Sequence, residues 1–317
     1  MWRSVENEEV EAVALSRDHK WIVIGSREGA TVWDAKSHDR IHRGPSSFVH
    51  TVDISLDSTE FATGTGSTGT DPQSVSVWDI TTGERFVGPL NHDGYVVGVK
   101  FSPNGNRIAT FTQKHIRVFD SGTGDQLIII EGSRLSWSPI TPIVWSSDSQ
   151  LFAMSKGGKI KCFDTSSGSQ LAEWQIHNDR SLMSIALSTN NRFIASSAGP
   201  SVTFWDTSTH TQLGIVDVGY DIRSIALSAD GRHLATGGYG ASKTVTIWDL
   251  CTILPESFLS MTVSITSPMF RQLIASVFHH ACKLISSYSE REYPFVVMQV
   301  FWMLTSEPRY HPTWKGL

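Results

Sequence analysis

The run Gly64-Thr65-Gly66-Ser67-Thr68-Gly69 has the GxGxxG spacing of a dinucleotide-binding loop, and Gly237 to Thr244 (GGYGASKT) approaches a phosphate loop with Ser242 in place of its second glycine. Such loops lead from a strand into a helix whose first amides receive the phosphates. Here the residues that follow, SVSVWD and TVTIWD, alternate with period two and predict strands instead. Neither run then has the helix its chemistry requires, and both read as loops between strands. His279, His280 and Cys282 gather ligand-type side chains, but adjacent histidines do not share a helix face as ligands at i and i+4 do, so no metal site is read there. GxSxG and HExxH do not occur, and acidic residues are scattered through turns. No catalytic residue, metal or cofactor is expected.

The elements around these runs repeat. An aromatic residue followed by aspartate occurs at Trp33-Asp34, Trp78-Asp79, Phe119-Asp120, Phe163-Asp164, Trp205-Asp206 and Trp248-Asp249, at intervals of 45, 41, 44, 42 and 43 residues. A constant period of this size marks a repeat fold. Ser16-x-Asp18, Ser55-x-Asp57, Ser102-x-Asn104, Ser146-x-Asp148, Ser188-x-Asn190 and Ser228-x-Asp230 run in step, each after an alternating apolar segment such as VEAVAL or VVGVKF. That pattern is a strand entering a turn, because these side chains bond their own backbone. Seven residues after each serine comes a small or aliphatic residue in a second strand: Val23, Ala62, Ala109, Ala153, Ala195 and Ala235. The aromatic-Asp strand is third, and polar turns such as TTGE and SGTGD lead to a fourth, as in RFVGPL and LAEWQI. Four short strands per unit predict an all-β propeller of four-stranded antiparallel blades.

Composition narrows the function classes. The chain has 317 residues, 40% hydrophobic and 18% charged, with a net charge of −5. This describes a globular protein with ample core and argues against a nucleic-acid or anionic-membrane surface. The opening MWRSVENEEV lacks the basic start and apolar run of a signal peptide. The densest apolar run, Phe295 to Leu304, is half the roughly 20 residues of a membrane-spanning helix. Three distant cysteines, Cys162, Cys251 and Cys282, fit a reducing compartment. A cytoplasmic or nuclear location is expected.

In these six units the chain resembles the WD40-repeat β-propeller family, including arrays common in fungi. The resemblance covers residues 1 to about 250. It implies that each repeat straddles two blades and that Trp2 to Val5 supplies the strand closing the ring. Family repeats often carry a histidine before the first strand and an aspartate six residues before the tryptophan, bonded within the blade. His92 takes the histidine position, and His177 approximates it one residue out of step. The aspartate position holds Arg27, Pro72, Gln113, Gly157, Gly199 and Ser242. The expectation is therefore that the internal polar network is missing throughout.

Residues 1–261 are read as the propeller and 262–317 as a degenerate seventh blade or a helical tail. Ser267 keeps the period and QLIAS echoes FIASS, which favours the blade. Ser267-Pro268 with Phe270, Leu273, Ile274, Val277 and Phe278 at i, i+3, i+4 spacing favours the helix. Ring closure tips the expectation to seven blades.

By the resemblance, the loop between the second and third strands and the loop entering the first share one rim. Two repeats carry insertions in the former, at about 65–74 and 238–243. Aromatic and arginine side chains dominate binding hot spots, which makes Tyr95, Arg134, Trp137, Arg180, Tyr220 and Tyr239 the candidate partner-binding residues. The expected function is a non-catalytic scaffold for protein or peptide partners. The alternatives are a ligand-sensing or substrate-receptor propeller within a larger assembly, and an enzyme using the central channel. The last would require acids, histidines or metal ligands converging there.

Overall fold

Each alternating segment opens an up-and-down sheet. This computed structural model describes residues 10–44, 46–65, 73–131, 142–155, 157–177, 184–228, 230–238 and 245–259. They form six sheets whose strands follow chain order, so each connection within a sheet is a hairpin. Blade one consists of Val10–Leu15, Trp21–Ser26, Gly29–Asp34 and Arg40–Arg43. Four-stranded blades follow over 49–91, 96–131, 143–175 and 184–217, and blade six contributes Ile222–Leu227, His233–Gly238 and Val245–Asp249. Successive first strands pack on one another from blade one to blade six, which sets the sheets around an axis. Val245 of blade six packs against the apolar cluster of blades one and two as well as its own. The result is an all-β six-bladed propeller. Its only helices among the described residues are two short 3-10 turns. The anticipated seventh blade or helical tail at 262–317, and the closing strand at Trp2 to Val5, lie outside the described residues.

The core follows the repeat. Val23, Ala62, Ala109, Ala153, Ala195 and Ala235 are buried where second strands meet the neighbouring blade. A larger side chain there would push the blades apart. Two hydrogen-bonded turns recur at one end of the ring. In the first, the buried serine hydroxyl accepts the amide five residues on, as in Trp21 N to Ser16 Oγ at 2.8 Å, and donates to the Asp18 carboxylate at 2.5 Å. In the second, the aspartate after the aromatic caps the third-to-fourth turn: Asp79 Oδ1 accepts from Thr81 N at 2.8 Å and Thr82 N at 2.7 Å. The Thr81 hydroxyl and these amides hold the Asp79 pKa down at about 2. Both elements of the sequence signature are therefore turn closures, which explains their invariance of type along the chain.

Blade six departs from the others. After Asp249 the chain does not make a four-residue turn into a fourth strand. Leu250, Leu254 and Leu259 bury themselves in the blade-five and blade-six cluster, while Asn190 Nδ2 donates to Phe258 O at 2.8 Å and Arg192 to Ser257 O. This segment seals the two blades at the turn-rich end.

At the other end, Gly157 and Gly158 turn between the second and third strands of blade four with φ of +80° and +72°. A Cβ on Gly158 would lie 2.2 Å from the His177 carbonyl oxygen, whose residue is tied to Gly158 O by its own amide. Gly158→Ala should therefore destabilise the protein by about 2–4 kcal/mol through left-handed strain and backbone overlap. Gly105→Ala, where φ is +75° but space is open, should cost only the strain, about 1 kcal/mol. Urea denaturation of the pair checks the difference.

Candidate functional site

Antiparallel strands put the two kinds of connection at opposite ends. The Ser-x-Asp and aromatic-Asp turns share one end, and the loops entering first strands share the other with those joining second to third strands. The first end is closed by the repeated hydrogen bonds above. The second varies in length and sequence, and holds Tyr95 and Tyr220 of the partner-binding candidates.

What fixes these loops is a polar network that the sequence reading expected to be missing, and here that expectation is corrected. The residue after the small second-strand residue is Thr63, Thr110, Ser196 or Thr236 in four blades. In three of these its hydroxyl meets the third-strand tryptophan: Trp78 Nε1 donates to Thr63 Oγ1 at 2.9 Å, Trp205 Nε1 to Ser196 Oγ at 3.2 Å, and Trp248 Nε1 to Thr236 Oγ1 at 3.0 Å, while blade three has Phe119 there. A loop residue reaches the hydroxyl in three blades and completes a chain from tryptophan in blades five and six. His92 Nε2 is 2.8 Å from Thr110 Oγ1, Tyr220 OH 2.9 Å from Thr236 Oγ1, and His177 Nε2 3.5 Å from Ser196 Oγ. The aspartate is missing, but the hydroxyl relay survives without it. In blade four Leu151 pairs with Phe163, which puts Ala153 at the equivalent place in the same apolar cluster as Phe163, so no hydroxyl stands there. The signal was available in the sequence as a Ser or Thr paired with Trp.

Two of the six candidates fall among the described residues. Tyr95 is 47% exposed at the loop entering blade three. Tyr220 instead commits its hydroxyl to Thr236 and to Thr246 Oγ1, the latter at 3.0 Å, and so anchors the loop entering blade six. Arg134, Trp137, Arg180 and Tyr239 lie outside the described residues, as do 66–72 and 239–244 within the two insertions. Both glycine runs join strand to strand, Glu60–Thr65 to Ser74–Asp79 and His233–Gly238 to Val245–Asp249. His279, His280 and Cys282 are outside the described residues. Among those described, no group of three or more His, Cys, Asp or Glu could hold a metal ion, and no helix is long and apolar enough to cross a membrane. Cys162 is buried, and burial with the nearby Asp148 pushes its thiol up to about 12.

Beside Tyr95 the loop and the blade-three hairpin assemble charge that sequence reasoning missed. His92 Nδ1 donates to Leu90 O at 2.7 Å, which makes Nε2 the acceptor for Thr110. Burial, aided by the Arg117 charge, drops its pKa to about 4, so the ring is neutral at pH 7. The next residue, Asp93, faces Lys114, His115 and Arg117 at 3.6, 3.3 and 3.4 Å. Desolvation raises the Asp93 pKa, but its own amide and the neighbouring His115, Lys114 and Arg117 outweigh that and leave it lowered. Contact between residues 93 and 114–117 arises only when the hairpin folds back beside the entering loop, so neither turn reveals it alone.

Comparison with known proteins agrees with this architecture. The family described as WD domain, G-beta repeat, matches residues 85–120 and 214–249. Each match begins in the fourth strand of one blade and ends on the aromatic-Asp pair of the next. Over 169 residues the chain is 27% identical to the serine-threonine kinase receptor-associated protein of Dictyostelium discoideum, covering 52% of this chain and 55% of that protein. It is 30% identical over 164 residues to WD repeat-containing protein 1 of Bos taurus, covering 47% of this chain and 25% of that one. The chain thus spans about half of the first relative and a quarter of the second. A chain in a crystal structure of the mitotic checkpoint complex superposes with a TM-score of 0.64 at 18% identity, over 75% of this chain and 73% of its own. The chain thus carries repeats that match the WD40 family model, in a β-propeller similar to these proteins.

Proposed function

We propose that the protein is a non-catalytic platform that presents the loop-bearing rim of its propeller to protein or peptide partners. The observation that carries this reading is the asymmetry of the two ends. One end is closed by the same side-chain hydrogen bonds in blade after blade. The other holds loops of unequal length, anchored at their bases by His92, His177 and Tyr220 and exposing side chains such as Tyr95 and Lys114. A rigid scaffold with variable loops suits recognition. The names of the Dictyostelium relative and of the checkpoint complex both refer to protein association, which supports protein partners for this chain as well. Because the match covers only a quarter of the longer WD repeat-containing protein 1, a receptor or sensor propeller inside a larger assembly is the second reading.

Arg134, Trp137 and Tyr239 belong to chain segments between strands that end at this rim, and we assign them to the same surface. The Arg134→Ala, Trp137→Ala, Tyr239→Ala triple variant should fold with an unchanged urea midpoint and lose partners that the wild-type chain captures in a pull-down. A folded triple variant that keeps every partner sinks the assignment.

A further inference from the structure

Asp93 is one carboxylate set among the cationic Lys114 and Arg117 and the imidazole of His115. Lys114 Nζ and His115 Nε2 approach Oδ2 at 3.6 and 3.3 Å, and Arg117 Nη2 approaches Oδ1 at 3.4 Å. None is a close contact. Between blades two and three Lys100 Nζ reaches Asp53 Oδ1 at 2.7 Å, the spacing of a charge-assisted hydrogen bond. The cationic groups are held by other partners: Arg117 Nη1 donates to Asn91 O at 3.0 Å and Lys114 Nζ to Asp93 O at 3.3 Å. Thr112 Oγ1 fixes their hairpin by accepting from Lys114 N and His115 N. Arg117 Nε and His115 Nδ1 are buried without a hydrogen-bond partner, so the strand side of the group is not fully paired either. Asp93 is 44% and Lys114 61% exposed, so these two face solvent, with the largely buried His115 and Arg117 behind them. Lys114 and Arg117 outnumber Asp93 in charge at neutral pH, on a chain whose net charge is −5.

We propose that these groups dock an acidic side chain from a peptide segment of a protein partner, and that Asp93 is the internal carboxylate this side chain displaces. The inference rests on the rim reading above and adds the chemistry of the partner. Loosely paired cations on a fixed hairpin keep their attraction for an anion. The exposed Tyr95, two residues along the entering loop, offers an apolar contact beside it. A displaced carboxylate has one clear signature: removing its charge frees the site.

Fluorescence anisotropy of a fluorescein-labelled hexaglutamate peptide, titrated with the full chain, tests this. Asp93→Asn should tighten binding by about 2–5-fold, and Lys114→Glu, a full charge reversal, should weaken it by about 5-fold or more, scaled from typical surface charge-pair energies. Lys36→Glu, the same charge change at the turn-rich end, should leave binding as it is. Added salt should weaken every complex. Unchanged or weaker binding by Asp93→Asn overturns the proposal, as does equal sensitivity to Lys36→Glu and Lys114→Glu. Absence of binding by both the wild type and Asp93→Asn overturns it too. These outcomes leave the rim reading standing, because the triple-alanine pull-down decides that separately.

Discussion

Trp205→Ala should lower the unfolding free energy by about 3–5 kcal/mol, in the range of large-to-small changes at buried aromatic positions. The indole is 9% exposed and packs in the cluster joining blades four and five with Phe152, Ile160, Trp174, Ile185 and Ile194. Truncation opens a cavity at an interface between blades, where neither sheet can collapse without disturbing its own hairpins. It also removes the donor to Ser196 Oγ, although that hydroxyl keeps Thr203 O at 3.3 Å. The two contributions separate by substitution. Trp205→Phe retains most of the apolar volume and loses only the N–H, so it should cost about 1 kcal/mol. Blades three and four already carry Phe119 and Phe163 at this position, so the fold accommodates the change. Urea denaturation distinguishes the variants, and a loss below about 1 kcal/mol for Trp205→Ala would contradict its role in the core.

Acid should weaken the protein through His92. Its folded pKa of about 4 lies below the ordinary 6.5, so between these values the unfolded chain binds more protons than the folded one. Stability from the neutral ring is then complete above about pH 6.5 and is lost as pH falls through about 4. The shift sets an upper scale of about 3 kcal/mol for that loss. His92→Gln keeps hydrogen-bonding capacity without the titration, so the wild-type minus variant difference should slope between pH 6.5 and 4 and flatten outside it. The aspartate turns do not confuse this window. With a folded pKa of about 2, Asp79 contributes stability above about pH 3.8 that is lost only as pH falls toward 2. A difference curve that stays flat from pH 7 to 4 would show that His92 is not buried neutral against Thr110.

Much of the architecture was legible because two short-range motifs do the same job in every unit. Ser-x-Asp and aromatic-Asp each close a turn through side-chain to backbone bonds within five residues, so the sequence records them locally. The buried Ala62, Ala109, Ala153, Ala195 and Ala235 were legible by their fixed distance from the serine. Features made by contact across strands were not. The fourth strand of blade one, Arg40–Arg43, has only one apolar residue and gives no alternation to read. The diversion of Leu250 to Leu259 beneath blades five and six depends on where the neighbouring turns lie. The Trp–hydroxyl–His or Tyr relay was missed for another reason: attention to the missing aspartate hid the Ser or Thr that still bonds the tryptophan. The charge cluster at Asp93 was illegible because its members are 21 to 24 residues apart and meet only through sheet topology.

Cross-linking mass spectrometry of the full chain with a partner captured by it tests the central claim most directly. The loop rim as binding face predicts that partner cross-links and protected lysines concentrate at Lys114 and the loops around 92–95 and 113–114. Lys20 and Lys36, at the turn-rich end, should stay as reactive as in the free protein. Partner cross-links gathered on Lys20 and Lys36, with Lys114 unprotected, would place the interface at the opposite end of the ring and contradict the account.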